Sequence, residues 1–306
     1  MSRSAARSIA EYLKQLREAL AGEDPALIQD ALYDSEEYLR AEIAAHPGKS
    51  EADVLELIAT TYGAPDEVAA AYRDTEAKVK AALQPPAPRI PPAPGVWGKF
   101  FGVFLDPRAY LSLFFMLLSL VTGILYFSFA GIGLSMSAGL ALLIIGVPFF
   151  LAFIAMVRVI AFGEGRLIEA FTGERMPRRP LHPGPPAGWL SRIAAMLSDA
   201  RTWTTLAYLV LMGPLGLIYS MIAVLGLGLG LSFAAAPVID ALQRLEWIDA
   251  QRSVYGEGIP HWLTTPVGDV VMFASGIVIL TTLMHLARGV ARMHGKLAKA
   301  LLAKPA

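Results

Sequence analysis

The chain has 306 residues, of which 55% are hydrophobic and 17% charged, too apolar a composition for an ordinary soluble protein. Its zero net charge hides an asymmetry: residues 1–84 carry 9 Lys plus Arg against 16 Asp plus Glu, and residues 85–306 carry 17 against 10. An acidic soluble head joined to a membrane part with basic flanks explains this better than nucleic-acid binding, and the lack of cysteine excludes disulfides, thiolate metal sites and Cys nucleophiles.

Residues 4–84 read as a small helical bundle. Ser4 to Ala21 places Ile9, Tyr12, Leu13, Leu16 and Leu20 at helical spacing and stops at Gly22, after which Asp24 and Pro25 supply an N-cap and a first-turn proline. The second helix runs to about His46 and ends at Pro47-Gly48. Ser50 with Asp53 approximates a capping box that opens a third helix carrying Val54, Leu57 and Ile58, and Pro65 opens a fourth. So few aliphatics give a marginal core, so docking to a partner or to the membrane part is expected to add stability. The acidic run Asp30, Asp34, Glu36, Glu37 and Glu42 reads as a solvated helix face in preference to a docking surface for a basic partner.

From Gln84 to Gly95 the sequence "QPPAPRIPPAPG" reads as an extended polyproline-type spacer and marks the boundary between a head (1–84) and a membrane domain (96–306). Val96 to Leu105 has the aromatic composition of a short helix lying in the membrane interface, and residues 188–198 take the same place further on. No cleavable signal sequence precedes the first apolar run, so the head is expected to stay where it is made.

Two apolar runs, Ala109 to Ile132 and Leu140 to Val157, contain no Asp, Glu, Lys, Arg or His and form a membrane hairpin, its turn containing Gly131, Gly133 and Gly139. The pattern returns 93 residues later: Asp106, Arg108, Tyr110, Gly123, Tyr126 and Gly133 line up with Asp199, Arg201, Trp203, Gly216, Tyr219 and Gly226. Beyond the second helix of each half, "VRVIAFGEGRLIEAF" matches "ARGVARMHGKLAKALL" at an offset of 130, with Arg158 over Arg288 and Gly165 over Gly295. An internal duplication with an insertion of 37 residues between Val238 and Pro266 accounts for both offsets. The expected fold is all-α, with spans near 109–132, 138–160, 202–225 and 267–288. The third apolar run continues to Val238, ~54 Å as helix, and so protrudes or turns at Gly226, Gly228 and Gly230.

Asp106 and Asp199 read as N-caps, and Arg108 and Arg201 can snorkel to phosphates; this repeated Asp-x-Arg is a candidate interfacial site, although capping alone would explain it. The link from Arg158 to Arg201 has seven Arg against four acids, and the tail from Leu286 has five basic residues and no acid. The positive-inside rule then places both termini and the link in the cytoplasm. The inserted segment falls outside and gathers Trp247, Tyr255, His261 and Trp262 with Asp269 nearby, a candidate signal-receiving loop set against the simpler reading of an interfacial aromatic belt.

Four stretches, "FLDPRAYLSLFFMLLSLVTGILYF", "GEGRLIEAFTGERMP", "DARTWTTLAYLVLMGPLGLIYS" and "LARGVARMHGKLAKALLA", resemble the sensor domain found at the N-terminus of many actinobacterial histidine kinases and in stand-alone membrane proteins. The resemblance covers roughly Val96 to Leu302. Residues 8–75 are similar to the short helical HAAS-type signalling domains that precede bacterial permease-like and sensor membrane segments, through "YLKQLREAL", the acidic second helix and "YGAPDEVAAAY". No kinase dimerisation or ATP-binding region follows Leu302, so enzymatic signalling is not carried over. The resemblance implies a cytoplasmic partner such as a transcription regulator or a transporter subunit.

The five histidines show no metal-ligand spacing, and HExxH, Walker-type and GxSxG motifs are missing, so no catalytic residue, cofactor or metal is expected. No intramembrane charge marks a proton or ion pathway. His285 reads as hydrogen-bonded to a neighbouring helix or set among the headgroups. The expected function is a non-enzymatic membrane sensor or signalling adaptor in a bacterial cytoplasmic (inner) membrane. Its partners would be the lipid bilayer and a cytoplasmic protein, without direct nucleic-acid contact, and a homodimer stays open. The alternatives are a transporter or permease accessory subunit, or a membrane enzyme built on Asp269, His261 and Glu257.

Overall fold

The computed structural model describes residues 6–83, 95–141, 143, 145–177, 194, 197–247 and 265–303. The described residues are all-α. Four short helices come first: α1 (Ile9–Ala19), α2 (Pro25–Ala45), α3 (Glu51–Thr61) and α4 (Pro65–Leu83). Ser8 and Asp24 cap the first two through their side chains, and Ser50 with Asp53 forms a complete capping box on α3, so these three helices start where a polar side chain satisfies an orphan amide. The four helices bury one shared core that includes Tyr12, Leu16, Leu39, Val54, Ile58 and Val68. Tyr12 ties its ends together by donating a 2.8 Å hydrogen bond to the Gly63 carbonyl.

The proline-rich spacer lies outside the described residues. After it, α5 (Val96–Phe101) runs into a 3-10 turn over Gly102–Leu105. His285 holds this element against the bundle: its Nε2 lies 3.0 Å from the Phe100 carbonyl and its ring stacks on Phe100. Four long helices follow: α6 (Pro107–Leu140), α7 (Gly146–Thr172), α8 (Ala200–Arg244) and α9 (Pro266–Leu302). Each is long and apolar enough to cross a membrane. Their outward faces carry exposed Leu125, Ile132, Val159, Leu217, Val224 and Val270, a surface suited to lipid and far too large an apolar patch for water.

Several helix ends differ from the expected ones. The first hairpin helix runs to Leu140 and its partner starts at Gly146, so the expected turn at Gly131, Gly133 and Gly139 is helical. Glycine lowers helix propensity without ending a helix that packs well, and Gly133 serves packing here, since a Cβ on it would collide with the Phe153 ring. The third apolar run neither stops near 225 nor turns at its glycines. It is one helix of 45 residues that passes through Pro214 and Pro237, roughly 68 Å long at 1.5 Å per residue. It therefore protrudes well beyond a ~30 Å hydrocarbon layer. The second and fourth helices likewise continue past 160 and 288.

Helices α6 and α8 form the central pair. They cross at Gly123 and Gly216, where a Cβ on Gly216 would run into the Ser119 carbonyl and one on Gly123 into the Met212 carbonyl. Small residues let the two backbones touch, and dispersion over that close contact holds the crossing in a lipid solvent. Two buried apolar clusters flank it, one around Phe153, Ile154, Leu206 and Met212 and one around Leu113, Met116, Leu283 and Met284.

Candidate functional site

Four helices bring a carboxyl, two phenols and an imidazole together inside the bundle. Glu164 of α7 is 2% exposed. Its Oε2 accepts a 2.8 Å hydrogen bond from the Tyr126 hydroxyl of α6, and its Oε1 accepts one of 2.8 Å from the Tyr208 hydroxyl of α8. The Tyr208 hydroxyl also lies 3.0 Å from Nε2 of His294 on α9. Because that hydroxyl spends its one proton on Glu164, Nε2–H of His294 is the donor to it. This leaves Nδ1 of His294 as a buried acceptor without a hydrogen-bond partner among the described residues. Around the imidazole stand the rings of Phe115, Tyr208 and Tyr219 at centroid distances of 5.0, 5.9 and 5.7 Å.

A buried carboxyl whose only described partners are neutral hydroxyls is unusual, because burial of a charge is costly unless it is paired. Every helix of the bundle supplies one member of this centre. Any change in helix packing therefore changes its hydrogen bonds, and any change in its protonation or bonding changes the packing.

The residues next to the centre touch the segment that leaves α7. A Cβ on Gly165 would rest on the Met176 side chain, and one on Gly295 would press into Glu174 and Thr172. Between them Arg175 reaches the N-terminal bundle: it donates a 3.0 Å hydrogen bond to Asp30 of α2 and pairs with Glu76 of α4. All three side chains are nearly buried, at 12%, 7% and 12% exposure. Two further contacts lie alongside. Lys299 of α9 donates to Asp24 at 2.7 Å and stands 3.8 Å from Glu174, and Arg201 of α8 donates to Gln29 at 3.1 Å. Asp30 thus belongs to a docking surface and not to a solvated face; its basic partner is this chain's own Arg175.

The sequence-derived candidates divide. Asp106 and Asp199 do cap their helices, each accepting from the amide two residues on at 3.0 Å. Capping is not all they do. Asp106 also pairs with Arg288 at 3.3 Å and Asp199 with Arg158 at 3.5 Å. Tyr110 donates to the Phe104 carbonyl and Trp203 to the Leu197 carbonyl, both at 2.9 Å. Arg108 is exposed, whereas Arg201 is held against Gln29. In the inserted segment Trp247 is exposed just beyond α8, and Asp269, in the first turn of α9, pairs with Arg244 at 3.6 Å. Tyr255, His261 and Trp262 lie outside the described residues. Among the described residues the outer set is not gathered into a site.

Glu164, Tyr208 and His294 are absent from the expected site, and Glu164, beyond the expected span end near 160, brings a carboxyl into the packed interior of the bundle. The reason is helix length. With spans ending near 160 and 288, Glu164 and His294 read as polar flanks; the continuous helices carry them into the packed interior. A signal was present, because the offset of 130 that sets Gly165 over Gly295 also sets Glu164 over His294. The offset of 93 sets Tyr126 over Tyr219 and Phe115 over Tyr208, so the matched positions are the ones around the imidazole and the carboxyl.

Four spanning-length helices closed around a buried polar centre define an all-helical membrane protein. A family model described as "Putative sensor" matches residues 115–302, and the chain belongs to that family. No curated protein and no solved structure matches it significantly.

Proposed function

We propose that this protein is a non-enzymatic sensor of a bacterial cytoplasmic membrane, in which the packing state of a duplicated four-helix bundle sets whether the N-terminal helical unit stays docked. In this reading both termini are cytoplasmic, the N-terminal unit is a HAAS-type head, and the undocked head engages a cytoplasmic partner, a transcription regulator or a transporter subunit. The sensor family and the four spanning-length helices support the membrane-sensor class. The matched contacts 93 residues apart, Tyr110 with Trp203 and Asp106 with Asp199, support the duplication.

One observation carries the coupling: the segment holding Arg175 packs on Gly165 and Gly295, the immediate neighbours of Glu164 and His294, while Arg175 itself grips Asp30 and Glu76. A shift of α7 against α9 moves both glycines and hence the clamp. The stimulus has to favour one packing over the other by its own binding energy. Spatial continuity is the warrant for this path, and a change in docking when the centre is altered is its proof.

The experiment is genetic. Deleting the protein, or expressing it with Arg175→Gln, should change transcription in the host, while proteoliposomes of the wild type show no solute flux. Unchanged transcription in both strains contradicts the sensor reading.

A further inference from the structure

Beside the polar centre, between α7 and the first turns of α8, lies a cavity of about 120 Å³, room for several waters at ~30 Å³ each. Its polar lining is Arg158, Arg201, Thr202 and Thr205, and its walls include Val157 and Phe162. Two guanidiniums thus face one space, and Asp199 is the carboxylate ion-paired with them among the described residues, since Glu164 of the neighbouring centre is hydrogen-bonded to two phenols instead; the groups lining the space and their ion partner leave an excess of one positive charge. Arg158 engages Asp199 and Thr202 only through Nη2, at 3.5 and 3.3 Å, and Arg201 engages Gln29 through Nη1. Among the described residues both keep further N–H donors for an acceptor that offers two oxygens, and the planar guanidinium fork recognises phosphate in this bidentate way.

The level and the surroundings select the source of that phosphate. The first turns of α8 line the cavity, where the capped helix end gives way to apolar sequence and where Trp203, half-exposed, donates its indole N–H to Leu197, as interfacial tryptophans do. On the N-terminal side of Arg158, toward the bilayer core in the proposed topology, α7 exposes Val147 and Met156, an apolar track for acyl chains. We infer that this cavity holds the phosphate of an anionic membrane lipid, with Arg158 and Arg201 as the phosphate ligands and the hydroxyls of Thr202 and Thr205 as supporting donors. A zwitterionic headgroup would bring its ammonium toward the excess positive charge and is disfavoured. Arg201 also holds Gln29 of α2, so a headgroup that draws Arg201 inward competes for a docking contact of the N-terminal unit. That last consequence rests on the sensor reading; the binding site does not.

The test is native mass spectrometry of the full-length protein taken from vesicles of equal phosphatidylglycerol and phosphatidylcholine, with label distances between the N-terminal unit and α9 measured on the same samples. The wild type should retain phosphatidylglycerol over phosphatidylcholine by roughly five- to thirtyfold, the range that one to two basic residues at ~1 kcal/mol each convert to. Arg158→Gln with Arg201→Gln should bring the ratio close to one. Ala161→Trp, which fills the cavity and leaves both arginines in place, should do the same and separates pocket binding from general attraction to the surface. An unchanged ratio in both variants overturns the site, and so does equal thermal stabilisation by inorganic phosphate alone, which would mean that the apolar walls contribute nothing. Loss of retention in the variants with an unchanged label distance upholds the site and contradicts its link to the docking of the N-terminal unit.

Discussion

Tyr208 and Glu164 stand 44 residues apart in the chain and are joined by a 2.8 Å hydrogen bond in which the phenol donates. The same oxygen accepts from His294, so Tyr208 is the one side chain that serves both the carboxyl and the imidazole. Tyr208→Phe would strip Glu164 of one of two donors and leave His294 without an acceptor. Each orphaned buried group costs about 1–3 kcal/mol. Thermal unfolding in detergent should show a clear loss of stability for Tyr208→Phe and a smaller one for Tyr126→Phe, which removes a single donor from a partly buried position. A smaller loss for Tyr208→Phe than for Tyr126→Phe would contradict this role.

Gly216→Ala and Gly123→Ala each place a Cβ into a facing backbone carbonyl, where no rotamer can make room. Overpacking of this kind costs about 1–3 kcal/mol. Gly131→Ala, on α6 with Gly123 but in open space, should be neutral or slightly stabilising. Unfolding midpoints of the three variants decide the point. Equal effects at Gly131 and Gly216 would mean that α6 and α8 do not cross as described.

Arg175→Gln removes a cation that bridges two nearly buried carboxylates, Asp30 and Glu76. Uncompensated buried charge of this sort costs about 3–5 kcal/mol, enough to release the N-terminal unit. Limited proteolysis should then cut α2 and α4 much faster, and adding Asp30→Asn with Glu76→Gln should restore protection in large part. Without that rescue, Arg175 would be acting through something other than charge.

The pairs Asp106–Arg288 and Asp199–Arg158 invite a large electrostatic role, yet both are partly exposed and 3.3–3.5 Å apart. Double-mutant cycles should return couplings below ~1 kcal/mol. Asp106→Ala alone should cost about 1 kcal/mol through loss of the cap. Couplings above the cap effect would show a more desolvated pair.

In the N-terminal unit, the hydrogen bond with the Ser50 side chain, aided by the Ser50 backbone N–H, holds the Asp53 carboxyl below the usual carboxylate range. A depressed native pKa means that the capping box stabilises α3 above the unfolded carboxylate pKa and is lost as pH falls through the native one. Hydrogen-exchange protection of the α3 amides, taken relative to the intrinsic rate at each pH, should fall on acidification in the wild type and change less in Asp53→Asn.

What was legible in the sequence was whatever local chemistry decides. Asp24, Ser50, Asp106 and Asp199 announce helix starts by side-chain capping, and the long apolar runs announce spans through lipid. The all-α class follows from these. The centre was not legible, because nothing local ties Glu164 to Tyr126 and Tyr208: the pairing is made by helices that cross at Gly123 and Gly216. Helix ends failed for the same reason. Gly133 looks like a turn residue from its type alone, and only its contact with Phe153 shows why the helix keeps it. Asp30 looks solvated until Arg175, 145 residues later, arrives beside it.

The most direct test uses the absence of native cysteine, which lets two introduced cysteines carry the only spin labels. With labels at the exposed positions Glu37 on α2 and Lys296 on α9, pulsed dipolar spectroscopy in lipid nanodiscs reads the docking of the N-terminal unit directly. The wild type should give one narrow distance, and Tyr208→Phe, which alters only the buried centre, should lengthen and broaden it as Arg175→Gln does. A distance that moves with Arg175→Gln but stays fixed in Tyr208→Phe would contradict the coupling between centre and head.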